Sequence, residues 1–133
     1  MTRRILLALP LALGACHRSA APMDVFPETI GPWKRASLRD LPISESPDPI
    51  PRSTVQRAQL ATYEGPSNGK LQARAYELSS PQAGVDLAQR WRPSADTVFF
   101  WATNYFVVVK WEEADRASLQ QFTQALAKRL NPK

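Results

Sequence analysis

Two stretches in the middle of the chain alternate between apolar and polar residues, with a turn-forming segment between them. The stretches are VQRAQLATYE (55–64) and KLQARAYEL (70–78), and GPSNG (65–69) separates them. Because Gly, Pro and Asn favour tight turns, the pattern predicts an antiparallel hairpin that places Glu64 opposite Lys70. In that register the apolar face carries Tyr63, Leu71, Ala61, Ala73 and Ala75. The other face is polar, which is typical of a hairpin with one face in water.

A second hairpin is predicted over DTVFFWATNYFVVVKWE (96–112), in which both faces are apolar. Thr103 and Asn104 form the polar pair inside this run, and Asn tolerates the left-handed backbone conformation that a tight turn requires. A turn at this pair places Ala102 opposite Tyr105. Since neither face is polar, we expect this hairpin to be central in a sheet and covered on both sides.

A helix is predicted after each hairpin. Ser80 is a suitable N-cap for the first helix, Pro81 suits its first position, and Pro93 stops it. The apolar stripe of this helix has helical spacing and consists of Gly84, Leu87, Ala88 and Trp91. The second helix is predicted from the N-cap Asp115 to Leu130. Its apolar stripe consists of Leu119, Phe122, Leu126 and Leu130.

Proline-rich segments precede the first hairpin. The segment 26–42 places Phe26, Ile30 and Trp33 among turn formers, and we expect it to lie on the domain and to end in a short strand near Trp33–Leu38. The segment 42–54 has prolines at 42, 47, 49 and 51, which no helix accommodates, so it is predicted to be an extended surface loop. Residues 26–133 are therefore predicted to form one small α+β domain. Its fold would be a four- or five-stranded antiparallel sheet in ββαββα order, with both helices packed on one face.

The first residues have the order of an export signal. Arg3 and Arg4 precede the apolar run Ile5–Leu13, which is too short to span a bilayer. Leu13-Gly14-Ala15-Cys16 follows this run and resembles the lipobox of bacterial lipoproteins. The segment Thr2-Arg3-Arg4-Ile5-Leu6-Leu7 also resembles a twin-arginine signal, so the export route stays open between the two.

The resemblance to lipoproteins implies that Cys16 is acylated, with palmitate among the usual chains, and becomes the first residue of the mature protein. Residues 1–15 would then be a signal peptide, and residues 16–25 a lipidated tether. The alternative is ordinary cleavage after Ala15, which leaves a free thiol. Position 17 is not Asp, which in an organism with two membranes resembles lipoproteins of the outer membrane. We therefore expect an exported protein that is anchored in a membrane, on the periplasmic face of the outer membrane in such an organism.

Charge and residue usage narrow the chemistry. The chain has 17 basic and 12 acidic residues. Removal of Arg3 and Arg4 leaves a mild net charge of +3, which does not favour a nucleic-acid partner. Cys16 and His17 are the only Cys and His in the chain, so a serine triad, a thiolate metal site and a disulfide within the domain are not expected. Glu112, Glu113 and Asp115 are more typical of a solvated helix start than of a metal site. We expect no catalytic residue, no metal and no cofactor.

The mature region has a second resemblance, carried by FPETIGPWKR, ATYEG, ARAYEL and NYFVVVKW. These motifs resemble a family of uncharacterised bacterial domains with export signals, over most of residues 26–130. The resemblance supports the predicted fold and implies no functional residue.

A candidate binding surface lies on one face of the second hairpin, and consists of Phe99, Trp101, Phe106 and Val108. Either Phe26, Ile30 and Trp33 fold over it as a second core layer, or it forms an aromatic groove for an apolar ligand, a peptide or a partner protein. The sequence therefore predicts a lipid-anchored, non-catalytic envelope protein that binds a partner or supports an assembly. The alternatives are a small-ligand-binding protein or enzyme with an unrecognised site on this aromatic face, and a purely structural lipoprotein.

Overall fold

The computed structural model of the protein describes residues 23–47, 49–92 and 94–131. Its elements are β1 (Thr29–Ile30), β2 (Trp33–Asp40), β3 (Val55–Glu64), β4 (Lys70–Leu78), α1 (Pro81–Arg90), β5 (Thr97–Ala102), β6 (Tyr105–Glu113) and α2 (Arg116–Leu130). The strands form one antiparallel sheet of six in the order β1-β2-β3-β4-β6-β5. Across the described ranges, no helix is both long enough and apolar enough to cross a bilayer.

The α+β class and the antiparallel sheet are confirmed, but the predicted number of strands is too low. The short strand expected near Trp33 is present as β2, which extends to Asp40. A further two-residue strand, β1, pairs Ile30 with Trp33. This pairing is possible because Gly31, with φ of +57°, reverses the chain between them. The predicted ββαββα order is therefore preceded by two strands, of which β2 was expected and β1 was not.

The β3–β4 hairpin has the predicted register. Glu64 lies opposite Lys70, and Tyr63 lies opposite Leu71. The Gly65 N–H donates to the carbonyl of Gly69 at 2.9 Å, which closes the loop between the strands. Turn residues therefore determined the register here, as expected from their positions in the sequence.

The β5–β6 hairpin also has the predicted register, with Ala102 opposite Tyr105, but its turn and its place in the sheet differ from the prediction. Thr103, not Asn104, has the positive φ, of 52°. The Asn104 side chain donates instead to the carbonyl of Leu78 at 3.0 Å, which ties the turn to β4. Only β6 lies inside the sheet. The expectation of a central hairpin is wrong for β5, which is an edge strand.

Both predicted helices are present with their predicted caps. The Ser80 hydroxyl accepts from the Ala83 N–H at 3.2 Å at the start of α1, and Pro81 occupies its first position. The Asp115 carboxylate accepts from the Ser118 N–H at 2.7 Å at the start of α2. These bonds satisfy N–H groups that lack a partner within the first helical turn.

The prediction that both helices pack on one face is wrong, because they lie on opposite faces of the sheet. Successive residues of a strand point to opposite faces. On β6, Val107 and Val109 belong to the core under α2, whereas Phe106 and Val108 belong to the core under α1. We call these the α2 face and the α1 face. The physical reason is that β6 is apolar on both faces, so each face needs its own cover.

The segments outside the hairpins contribute to both cores. Phe26, Ile30 and Trp33 pack on the α2 face, together with Met23 and Val25, which the sequence analysis assigned to the tether. The loop over 42–54 contains two short 3-10 turns, and its Ile50 is buried on the α1 face beside Leu87 and Val55. The loop is thus a cover for the sheet as well as a connector.

Candidate binding groove beside the edge strand

The structure fills most of the aromatic face that the sequence singled out. Phe106 and Val108 are buried, and Phe99 is half-buried and stacked on Phe106 with ring centroids 5.4 Å apart. Trp91, at the end of α1, covers both rings, with its centroid 5.1 Å from that of Phe106. Of the four candidate residues, only Trp101 remains open, with 44% of its surface exposed. The cover is α1, and not the segment with Phe26, Ile30 and Trp33, which packs on the other face.

An open apolar groove lies instead on the α2 face, between α2 and β5. Its volume is about 650 Å³. Its floor includes Val98, Phe100 and Trp111, and its helical wall includes Leu119, Thr123 and Ala127. This volume falls within the range of about 300–1,000 Å³ that is typical of ligand sites. The sequence did not predict this groove, because an apolar face on the second hairpin was expected to be covered.

The groove exists because α2 is held towards the opposite side of the sheet. The Phe122 ring packs edge-on against the rings of Tyr63 and Trp33, with centroids 5.0 Å and 6.0 Å apart, respectively. The Trp33 indole N–H donates to the carbonyl of Ser118 at 3.1 Å. These contacts bind α2 to β2 and β3, and the side of the helix that faces β5 is left partly open.

The outer edge of β5 presents main-chain groups beside the groove. The Trp111 N–H donates to the carbonyl of Asp96 at 3.1 Å, which identifies the residues of β5 whose bonds point towards β6. By strand alternation the bonds of Val98 and Phe100 also point inward, and those of Phe99 and Trp101 point outward. Within the part of the chain that the structure describes, no hydrogen bond reaches the outward groups of Phe99 and Trp101.

The groove has a charged residue at one end. Among the described residues that line it, Arg116, at the start of α2, is the only charged one, and Gln120 and Gln124 supply polar groups at its rim. The whole of α2 contains Arg116, Lys128 and Arg129, and no acidic residue. Among residues 23–47, 49–92 and 94–131, neither ion pair that forms includes Arg116. The groove is therefore apolar with a cationic end, which favours an apolar ligand with one negative group.

A polar cluster lies at another end of the sheet, on the α2 face. Arg57 and Glu77 form an ion pair at 2.7 Å, and the hydrogen bond to Glu77 raises the pKa of Arg57. Burial, and secondarily the charge of Glu77, raises the pKa of Tyr105 next to this pair. The Gln59 amide donates to the Asp40 carboxylate at 3.2 Å in the adjacent row. The predicted register of the first hairpin already placed Arg57 opposite Glu77, but nothing in the sequence showed that β6 would bring Tyr105 beside them.

The remaining candidate residues do not converge on a site. Cys16, the predicted lipid attachment residue, lies outside the described residues. Glu112 and Glu113 are exposed at the end of β6, and Asp115 is engaged as the cap of α2. In the described ranges, no three His, Cys, Asp or Glu side chains are grouped in a way that could hold a metal ion.

In comparisons with known proteins, no protein-family model, no curated protein and no solved structure matches the chain significantly.

Proposed function

We propose that this protein is a lipid-anchored, non-catalytic binding module of the bacterial cell envelope. Acylation of Cys16 would attach it to a membrane, since two or more acyl chains hold a protein stably whereas one chain holds it only reversibly. The lipobox-like sequence Leu13-Gly14-Ala15-Cys16 supports the anchor. If Cys16 carries the anchor, no Cys is left for chemistry, and the only His lies next to the anchor. The usual catalytic residues are then missing from the rest of the sequence, which supports a role in binding.

The observation that carries the binding role is the apolar groove between α2 and β5. A small domain that covers both faces of its sheet would gain from closing this gap, yet Val98, Phe100 and Trp111 remain only partly covered there. Concave sites of this size, lined mainly by apolar side chains with a few polar groups, are typical of binding sites. We propose that the groove receives a segment of another envelope component.

The anchor is tested by the substitution Cys16→Ser. We expect the protein to leave the membrane fraction, as a soluble or an uncleaved form, because no thiol is then available for acylation. Circular dichroism of the purified domain, with and without the substitution, controls for folding. Retention of the variant in the membrane fraction at the level of the unaltered protein would contradict the lipid anchor.

The binding role is tested by photo-crosslinking in the native envelope. A photoreactive residue replaces Gln124 at the rim of the groove, and in the control it replaces Gln89 on the exposed side of α1. We expect a discrete adduct from position 124 that is absent or much weaker from position 89. Equal labelling at both positions, or none at 124, would contradict a binding role for the groove.

The volume of the groove favours a second candidate function, which is binding of a small apolar ligand. A groove of about 650 Å³ with one cation and two amides at its rim suits a small amphiphile as well as a peptide segment. An adduct at position 124 with the mass of a lipid or metabolite would select this alternative.

A further inference from the structure

We propose that the groove binds an extended peptide segment of another protein, which adds to the outer edge of β5 as a seventh strand and places an acidic group beside Arg116. This inference rests on the proposed function and specifies the chemistry of the partner. Main-chain pairing would supply affinity, and the groove would select side chains, as in other cases of strand addition to a sheet edge.

The main-chain groups of β5 determine the conformation of the ligand. The N–H and C=O groups of Phe99 and Trp101 point away from β6, so outward donors and acceptors occur at every second residue of β5. Only an extended backbone offers donors and acceptors with that spacing. A compact ligand or a single alkyl chain could fill the groove, but it would leave these groups without partners.

The side chains around the edge determine the pattern of the ligand. Val98 and Phe100 point to the α2 face and line the groove, so every second side chain of an added strand would enter it. The intervening side chains would lie beside Trp101 on the other face, where the indole is half-exposed. The ligand is therefore apolar at alternate positions on one face, with an apolar or aromatic neighbour for Trp101.

The charge of the groove determines which charge the ligand should carry. Arg116 lies at the end of the groove that also contains Trp111 and Ala114, and none of the described residues that line the groove with it is acidic. A carboxylate on the ligand, from Asp, Glu or a chain terminus, would complement this guanidinium in a charge-assisted pair. A lysine at the same place would meet a like charge, which discriminates between ligands.

The edge itself lacks the features that normally prevent strand addition. Exposed edges are usually protected by charges, prolines or bulges. The strand TVFFWA contains no charged residue and no proline, and its pairing with β6 has no register shift. Such an edge accepts a strand without first losing a protective contact.

The test uses an array of short fluorescent peptides that alternate valine and threonine and carry aspartate or lysine at either end. Binding to the full mature domain is measured by fluorescence anisotropy. We expect at least one aspartate peptide to bind, and its lysine counterpart to bind at least tenfold more weakly. The same peptide with N-methyl groups on alternate amides should lose binding by a similar factor, since it cannot pair with β5. Failure of every peptide in the array, or equal binding of the N-methylated form, would overturn the proposal.

Matched variants of the protein locate the bound peptide. Trp101→Pro removes an outward N–H and should weaken binding at least tenfold more than Trp101→Val, which removes only the indole. Arg116→Glu should reverse the preference between aspartate and lysine peptides, whereas Lys128→Glu, outside the groove lining, should not. Ala127→Trp should block the groove, whereas Ala125→Trp, on the exposed side of α2, should not. If Trp101→Pro fails to fold, the N-methylated peptide tests the same hydrogen bonds.

Other occupants would give different results. Palmitate that binds and is displaced by Ala127→Trp, without any peptide binding, would overturn the proposal in favour of an amphiphile. Sedimentation as a dimer that Trp101→Pro dissociates would overturn it in favour of a second copy of this chain. If no peptide binds but crosslinks still form from position 124, strand addition is refuted and the binding role of the groove stands. Absence of those crosslinks would instead refute the binding role.

Discussion

The two ends of the sheet contain similar residues, but the structure protects one end and leaves the other open. At the β1–β2 end, Trp33 is 1% exposed, packed under α2 and hydrogen-bonded to it. At the β5 end, Trp101 is 44% exposed, and the groove on the opposite face of the same strand is open in the part of the chain that the structure describes. The same type of side chain is thus a structural anchor at one end and an accessible surface at the other.

The strand edges differ in the same way. In the described part of the chain, β1 pairs only with Trp33 and Lys34, so the rest of β2 is the free edge at this end of the sheet. The strand β2 carries Lys34, Arg35 and Arg39, and its pairing with β3 is interrupted between Arg35 and Ser37. Charges and bulges are the usual means of preventing further pairing. The strand β5 has neither. Since one edge shows that this protein can protect a strand, the unprotected edge is the better candidate for an interaction surface.

The largest expected difference between the two ends concerns the tryptophans. Trp33→Ala should destabilise the protein by about 3–5 kcal/mol, because it leaves a cavity under α2 and removes the hydrogen bond from the indole to the Ser118 carbonyl. Trp101→Ala should cost about 1 kcal/mol, since much of its side chain is already in water. Urea unfolding of both variants measures the difference. Equal losses would mean that the β5 end is as tightly packed as the β2 end.

Substitutions in α2 should reduce stability strongly on the side that faces Trp33 and Tyr63, and only slightly on the side that faces the groove. Phe122→Ala should cost about 3–5 kcal/mol, because its ring is fully buried against Trp33 and Tyr63. Thr123→Ala, on the groove side, should change stability by less than about 0.5 kcal/mol. Thermal and urea unfolding measure both. A loss below about 1 kcal/mol for Phe122→Ala would show that α2 is not held by these rings.

Replacing the glycines that lie next to the two tryptophans by alanine should change stability in opposite directions. A Cβ on Gly65 would lie 2.6 Å from the Trp33 ring, so Gly65→Ala should destabilise by about 1–3 kcal/mol. A Cβ on Gly84 in α1 would lie at an ordinary 3.6 Å from Trp101. Gly84→Ala should therefore stabilise by about 0.5–1 kcal/mol, through helix propensity. Destabilisation by Gly84→Ala would indicate tight packing at the open end.

The protected end should also dominate the response to alkaline pH. Burial raises the pKa of Tyr63 well above its ordinary value of 10.0, and its hydroxyl donates to the Pro27 carbonyl at 2.6 Å. Because the folded state favours the protonated phenol, its stabilisation is fully present below pH 10 and is lost as the pH rises further. Urea unfolding between pH 8 and 11 should show this decline. Tyr63→Phe should make the decline shallower. An unchanged slope in that variant would contradict the role of Tyr63.

Much of the local structure was predictable because it depends on residues close in sequence. The turn at 65–69 and the pair Thr103-Asn104 determined both hairpin registers, and Ser80 and Asp115 determined both helix starts. In each case one or two residues near the element supply the needed hydrogen bond or backbone conformation. Even so, the positive φ is at Thr103, and the Asn104 side chain is hydrogen-bonded to β4, which lies outside this hairpin.

The candidate site was less predictable, because it depends on where the elements lie relative to one another. The apolar character of Phe99, Trp101, Phe106 and Val108 was visible, but not that α1 and Trp91 would cover three of them. Phe100 and Trp111 had the pattern of ordinary core residues, and Ala127 was outside the predicted apolar stripe of its helix. Only the attachment of α2 to Trp33 and Tyr63 left them beside a groove.

Both hairpins, both helices and their N-caps could be predicted from the residues alone, since they follow from local turn chemistry and from apolar periodicity. Which face each helix covers, and which strand lies at the edge, depends on how these elements pack against one another. An apolar stripe shows that a helix is covered, but not by which partner, because burial is favourable against any apolar face. The open groove beside β5 results from that choice, and it could not be found in any single segment of the chain.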